Sequence, residues 1–303
     1  MLAMVLKFNT CLAAIGAVML LLAWPVKAEV VLHRETSQYH DIVVFEDEGK
    51  RCMRFATIED IGSQSCMYPP FPDEIVLETI KMLLSALYLK PDPQRIFVIG
   101  LGGGIVTRTL GKLYPDAEID TVELDPAVVN VAQNYFGFKP NPKVRVHVGD
   151  GRVFLKHAIQ DGRHFDIIMR DAIMAGLVPD HMLTQEFLTE VKTALAPGGV
   201  FVANTSKFSR LYDSETATDA AVFGDFYNIQ NISRIILAGR DGLPSLDVVR
   251  KNAEIMDVKL RPFGFDSGWL LPMFQPKPAW KPDTRIMTDQ YVPASLLKGP
   301  EQP

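Results

Sequence analysis

Apolar residues follow two rhythms along the 303-residue chain. From Arg95 onward, short and largely apolar runs alternate with segments in which apolar residues recur every three to four positions. RIFVIG, EIDTVELD, VRVHVGD, FDIIMRDA and VFVANT read as strands, while IVTRTLGKLY, PAVVNVAQNYF, GRVFLKHAIQ and TQEFLTEVKTAL read as the helices between them. Short apolar strands alternating with helices predict a doubly wound, mostly parallel α/β sheet covered on both faces. Further on, DSETATDAAVFGDFY and LPSLDVVRKNAEIM predict helices and SRIILAG a strand, and the Pro-rich tail from Pro272 is expected to wrap the surface.

Upstream the rhythm is that of strands. HDIVVFE and RCMRFA sit on either side of Asp47-Glu48-Gly49-Lys50, which predicts a β-hairpin inside a small N-terminal module over residues 29–70. After the break YPPFPDE, the segment EIVLETIKMLLSALYL places Ile75, Leu77, Ile80, Leu83, Leu84 and Leu87 at helical spacing. That predicts one amphipathic helix ending before Pro91, the first element of a main domain over residues 71–303.

The first 28 residues differ in kind. One lysine precedes the apolar run Cys11 to Trp24, Pro25 ends it, and Val26-Lys27-Ala28 resembles a small-x-small cleavage site. The run is shorter than the roughly 20 residues that span a bilayer, so a cleaved export signal is expected. An uncleaved anchor through residues 8–24 and an ordinary buried helix are the alternatives, and any membrane contact is expected through this segment alone. After cleavage Cys52 and Cys66 remain, flanking a turn-like stretch with Glu59, Asp60, Gly62 and Ser63. A disulfide and two independent buried thiols both fit that spacing.

Composition narrows the function. Hydrophobic residues make up 48% of the chain and charged ones 22%, as in a globular protein with a real core. The net charge of −5 and the absence of a basic tract exclude nucleic acid as the main partner.

The candidate chemistry sits at strand ends. VIGLGGGIVTRTL is a strand, a glycine turn and a helix start, which presents backbone N–H groups at the carboxyl end of the sheet. Gly100, Gly102 and Gly104 form G-x-G-x-G, and Ile105 stands where the dinucleotide fingerprint needs its third glycine. The spacing fits a nucleoside without pyrophosphate. Glu123 closes the second strand, where an acid accepts from both ribose hydroxyls. Asp150-Gly151 closes the third, where an acid receives an adenine amino group. A helix-start acid at Glu123 and a helix N-cap at Asp150 are the plainer readings.

These segments resemble the spermidine synthase (polyamine aminopropyltransferase) family, a branch of the Rossmann-like class I methyltransferase fold. TSQYHDIVVFE resembles its N-terminal strand motif, VIGLGGG its glycine loop, VELDPAVVNVA its ribose segment and GDGRVFL its adenine segment. LTQEFLTEVKTALAPGGVFVAN resembles the helix and strand after its active-site loop. The resemblance implies transfer of an aminopropyl group from decarboxylated S-adenosylmethionine to a diamine, with no metal, and leaves a homodimer open. It places Glu123, Asp150, Gly151 and Gln64 around the nucleoside, and Asp171 in MRDAIM at the first acid of the D-x-x-D loop.

The chain departs from that pattern at the amine-binding positions. The second loop acid falls on Met174, the glycine-loop aspartate on Gly103, and the Tyr-His pair of the preceding helix on Leu77-Glu78. Glu78, Asp180 and His181 are the candidates to substitute, with a solvated loop histidine as the plainer reading of His181. Trp269 reads as a core residue or a wall of the amine pocket. Methyl transfer from S-adenosylmethionine is the first alternative, since Gly103 would leave room for the donor's carboxylate, which an aspartate would repel. A silent nucleoside-binding protein is the second. Export adds weight to a silent role or to an anchor facing the cytoplasm, because the donor is made in the cytoplasm.

Overall fold

The computed structural model describes residues 29–39, 41–55, 62–173 and 178–292. The segment read as an export signal, Glu59 and Asp60 of the turn-like stretch, and Met174 lie outside the described residues.

The N-terminal strands form an antiparallel sheet in chain order: β1 (Val30–Thr36), β2 (Asp41–Asp47), β3 (Lys50–Phe55), β4 (Ser65–Tyr68) and β5 (Phe71–Ile75). The hairpin turns where predicted. Glu48 and Gly49 both take positive φ, 48° and 80°, which matches the twist of paired strands at a two-residue turn.

The sheet continues past residue 70 because the chain doubles back there: Phe71 pairs with Tyr68, and Ile75 with Met67. Ile75 is thus a strand residue, and the single helix expected after it is two short ones, α1 (Glu78–Leu84) and α2 (Ala86–Leu89). Between them the Ser85 hydroxyl donates to the Met82 carbonyl at 2.5 Å, a local bond that competes with the helical ladder.

The main sheet is built from β6 (Arg95–Ile99), α3 (Ile105–Leu113), β7 (Glu118–Glu123), α4 (Pro126–Tyr135), β8 (Val144–Val148), α5 (Gly151–Gln160), β9 (Phe165–Arg170), α6 (Gln185–Ala194) and β10 (Leu195–Thr205). Then come α7 (Tyr212–Phe223), β11 (Phe226–Gln230), β12 (Arg234–Gly239), α8 (Leu246–Leu260) and the edge strand β13 (Gln275–Pro276). The spatial order is β13-β11-β12-β10-β9-β6-β7-β8. The strands from β8 to β10 are mutually parallel, and β12 returns antiparallel to β10. The fold is the predicted α/β class.

Alternation along β6 sets the two layers. Ile96 and Val98 pack into the core shared with α1, α2, α8 and the small sheet, while Phe97 and Ile99 face α5 and α6. Trp269 packs against the first of these cores and is absent from the lining of the cavity described below. Its core reading holds.

Two expectations change. The helix predicted through FGDFY stops at Phe223, since Gly224 at φ 78° ends it, and the β-prone FYNIQ forms β11 between β12 and β13. The tail also does more than wrap. Met287 is fully buried, and its carbonyl accepts from the Gln185 N–H at 2.8 Å.

Cys52 and Cys66 face each other across β3 and β4 as register partners and form a disulfide that closes a 14-residue separation. A loop of that size is worth about 3 kcal/mol in the chain-entropy account. Replacing both cysteines with serine is expected to lower the urea midpoint by the equivalent of about 2–4 kcal/mol, with a slope no smaller than the parent's because the unlinked denatured chain is less compact. An unchanged midpoint would mean that strand pairing alone holds β3 to β4.

Candidate functional site

The chain winds from β6 out to β8, then crosses back to β9, so the carboxyl ends of β6 and β9 open a crevice at the reversal. A cavity of about 500 Å³ lies there. Topology orders its polar walls across the sheet: Asp150 beyond β8, Glu123 on β7, the glycine loop beyond β6, Asp171 beyond β9, and Asn204 on β10.

The glycine loop divides its work. At Gly100, φ 97°, a Cβ would sit 2.3 Å from the Asp171 carbonyl oxygen, and at Gly102, φ 52°, it would sit 2.9 Å from Ser65 Oγ. Both glycines line the cavity. Gly104 does not: with φ 74° it starts α3 against the Phe138 ring, 2.6 Å from where a Cβ would be. Its role is the close approach of helix and loop. The Gly103 N–H donates to Ser65 Oγ at 2.7 Å. This bond ties the loop to the small sheet, beside Gln64, which also lines the cavity.

Glu123 and Asp150 both face the cavity, and of their two plainer readings the structure has the helix cap at Asp150 but not a helix start at Glu123. Glu123 accepts from the N–H of Leu101 at 2.9 Å and of Asp125 at 3.0 Å, so it fixes the glycine loop while facing the cavity. Burial pushes its carboxyl up from the ordinary range, against the pull of those N–H groups. The helix cap next to it is Asp125, which accepts from the Ala127 N–H. Asp150 does cap α5, accepting from the Val153 N–H at 2.9 Å through Oδ1. Its other oxygen lies 2.8 Å from His181 Nε2. The bond to His181 leads the effects that hold this carboxyl below its ordinary value.

Asp171 is the acid at the other side of the reversal. Burial raises its carboxyl, and the amide of Asn204, donating at 2.8 Å to Oδ1, partly offsets that. Asn204 was not singled out in the sequence, though a polar residue ending the apolar run VFVA was the available signal. Thr79 and Ser233 extend the wall, their hydroxyls 3.0 Å apart.

Glu78 stands apart from these groups. It is absent from the lining, and its carboxylate accepts from the Asn231 amide at 2.7 Å, because α1 presents Leu77, Thr79 and Ile80 to the cavity instead. Asp180 is also outside the lining, whereas its neighbours Pro179 and His181 are in it. His181 therefore belongs with Asp150, across the sheet from Asp171. Among the described residues no cluster of His, Cys, Asp or Glu is placed to hold a metal.

Substituting Gly100→Ala tests the loop geometry. A methyl group there meets the backbone of Asp171 rather than a yielding side chain, so a stability loss above about 2 kcal/mol is expected, read by thermal unfolding. A variant as stable as the parent would show that the loop has room the structure denies.

The model of the spermine/spermidine synthase domain family matches residues 77–225. The chain is 39% identical to a polyamine aminopropyltransferase of Vibrio vulnificus over 284 residues, covering 92% of this chain and 95% of that one. The structure of a probable spermidine synthase from Corynebacterium glutamicum aligns over 81% of this chain and 90% of its own, with a TM-score of 0.64 and 20% identity. Human methyltransferase-like protein 13, solved with SAH, aligns over 71% of this chain and all of its own, with a TM-score of 0.57 and 26% identity. Similarity to the Vibrio protein along nearly its whole length places the chain in the spermidine synthase family.

Proposed function

We propose that the protein is an aminopropyltransferase that takes decarboxylated S-adenosylmethionine as donor and an amine as acceptor. The observation that carries this reading is Asp171: a half-buried strand-end acid facing the cavity, across the glycine loop from Glu123 and Asp150. The charged groups among the described lining residues are these acids and His181, with no lysine or arginine. Such a wall suits a cationic donor and a basic acceptor.

In this reading Glu123 holds the ribose hydroxyls, Asp150 and the N-terminus of α5 at Gly151 hold the base, and Gly100, Gly102 and Gln64 line the bed between them. The donor's sulfonium makes its thioether a good leaving group. The acceptor's neutral amine attacks the propyl carbon in line, the new C–N bond forms as the C–S bond breaks, and the electron pair stays on sulfur. The surplus proton of the new ammonium passes to Asp171. Burial makes that carboxylate a stronger base than an exposed one, and Asn204 fixes its orientation through one oxygen.

Methyl transfer rested on room beside Gly103. That room is filled: a Cβ there would lie 2.9 Å from both the Phe136 ring and Ser65 Cβ. The missing aspartate leaves packing behind rather than a berth for a carboxylate.

Asp171→Asn is expected to keep nucleoside affinity within about two-fold and to cut turnover at least 100-fold, the scale of a lost general base. Glu123→Ala is expected to abolish calorimetric binding of methylthioadenosine and of both donors. The base must be unprotonated, so the acid limb of the rate profile is expected above the usual carboxylate range, the direction in which burial moves Asp171. If Asp171→Asn turns over normally with a putrescine-type acceptor, the assignment of the base is wrong.

We also propose that residues 1–28 direct export and are removed. The Cys52–Cys66 disulfide supports an oxidising destination. Among the described residues, no helix is long and apolar enough to cross a membrane. Amino-terminal sequencing of the protein from a bacterial host is expected to start at Glu29. A start at Met1 in the membrane fraction would favour the anchor through residues 8–24.

A further inference from the structure

Asp150 has two carboxylate oxygens, and both are engaged. Oδ1 accepts from the Val153 N–H at the start of α5, and Oδ2 is 2.8 Å from His181 Nε2. The cap bond is part of the helix. The histidine bond is not, and His181 keeps 46% of its side chain exposed.

The backbone under this imidazole is held from two directions. Arg152 Nη1 donates to the His181 carbonyl at 2.9 Å, and Arg170 Nη1 donates to the Met182 carbonyl at 2.5 Å. Arg152 is itself fixed by bidentate pairing with Glu190 and by Asp289 of the C-terminal tail, at 2.7 to 2.9 Å. Asp289 also accepts from Thr184 at 2.7 Å. The residue is therefore mounted at a set distance from Asp150, and only its side chain is free to turn away.

We propose that His181 is a displaceable occupant of the nucleoside site: its imidazole and the exocyclic amine of an adenine base compete for the same Asp150 oxygen, and protonation of His181 favours the closed pair. This rests on the nucleoside reading of the cavity given above. The sign follows from charge. When the imidazole is protonated, a cation faces a carboxylate, and a ligand must part them. When it is neutral, a hydrogen bond is all that is lost.

The charged groups around His181 are Asp150 and Arg152 on α5, Asp180 beside it, Arg170 at the end of β9, Glu190 on α6 with Lys156 at 3.6 Å from it, and Asp289 on the tail. Arg152 is compensated by Glu190 and Asp289. Asp150 is thus the carboxylate bonded to the ring, and its depressed titration keeps it ionised while the imidazole changes charge. Ligand and proton must then weaken each other reciprocally.

Methylthioadenosine is the probe, because its neutral thioether puts no charge of its own near the imidazole. Calorimetry on the mature chain is expected to show affinity falling about three- to five-fold from pH 8 to pH 5.5, the scale of a half-exposed ion pair, and the fall is expected to vanish in His181→Gln. In NMR spectra of the histidine ring at pH 6, saturating methylthioadenosine is expected to move the His181 signals toward those of the neutral ring. Equal pH dependence in the parent and His181→Gln overturns the proposal, as do His181 signals that the ligand leaves unmoved. Tight binding with a flat pH profile would sink the competition and leave the nucleoside reading standing. No binding at any pH would remove both.

Discussion

The site depends on one approach of backbone to backbone. Between β6 and α3 the chain passes so close to the start of the loop after β9 that a methyl group at Gly100 would meet the Asp171 carbonyl at 2.3 Å. That closeness puts Glu123 and Asp171 on one cavity wall. The loop is held there by groups with other duties. Glu123 accepts from the Leu101 N–H, and Ser65 of the small sheet accepts from the Gly103 N–H. The N-terminal sheet is therefore a support of the glycine loop, and the disulfide next to Ser65 steadies it from behind.

Much of this was legible in the sequence, for physical reasons that differ by element. The parallel strands could be read because each is a short apolar run that suits a strand covered on both faces, and their polar ends then marked Glu123, Asp150 and Asp171. The boundary near residue 70 was not legible. FPDEI has the composition of a loop, and only its pairing with β4 makes it a strand. Phe226 and Tyr227 read as the end of a helix because a glycine such as Gly224 can stand inside a helical pattern, and the strand character of FYNIQ comes from β12 and β13 on either side. Glu78 and His181 show the same limit at the site. The family resemblance placed both near the cavity, but the direction of a side chain is set by packing. A one-position rotation of α1 gives the wall to Thr79 and sends Glu78 to Asn231. A histidine that reads as a solvated loop residue is seated by two arginines.

The first of these, Arg152, also binds the described part of the tail. Arg152 is nearly buried, which is costly for a cation unless its donors are used. Glu190, Asp289 and the His181 carbonyl use them. A Pro-rich segment with little pattern of its own is thereby drawn onto α6 and the loop beside the cavity. The buried Met287 adds the apolar contact that an ion pair at the surface could not supply alone.

The polar losses relative to the family pattern then have a common consequence. With packing at Gly103 and with Glu78 engaged by Asn231, the described part of the amine side keeps one ionisable group, Asp171, among neutral neighbours: Asn204, Thr79, Ser233 and the apolar Ile80 and Ile173. A lone carboxylate in such surroundings is desolvated more than one acid of a pair beside bound cations. Its affinity for a proton rises, which is what base chemistry on an ammonium requires. Under the proposed reaction, recognition of the acceptor and removal of its proton both fall to Asp171. The opposite side, by contrast, offers two carboxylates, Glu123 tied to the glycine loop and Asp150 to the start of α5.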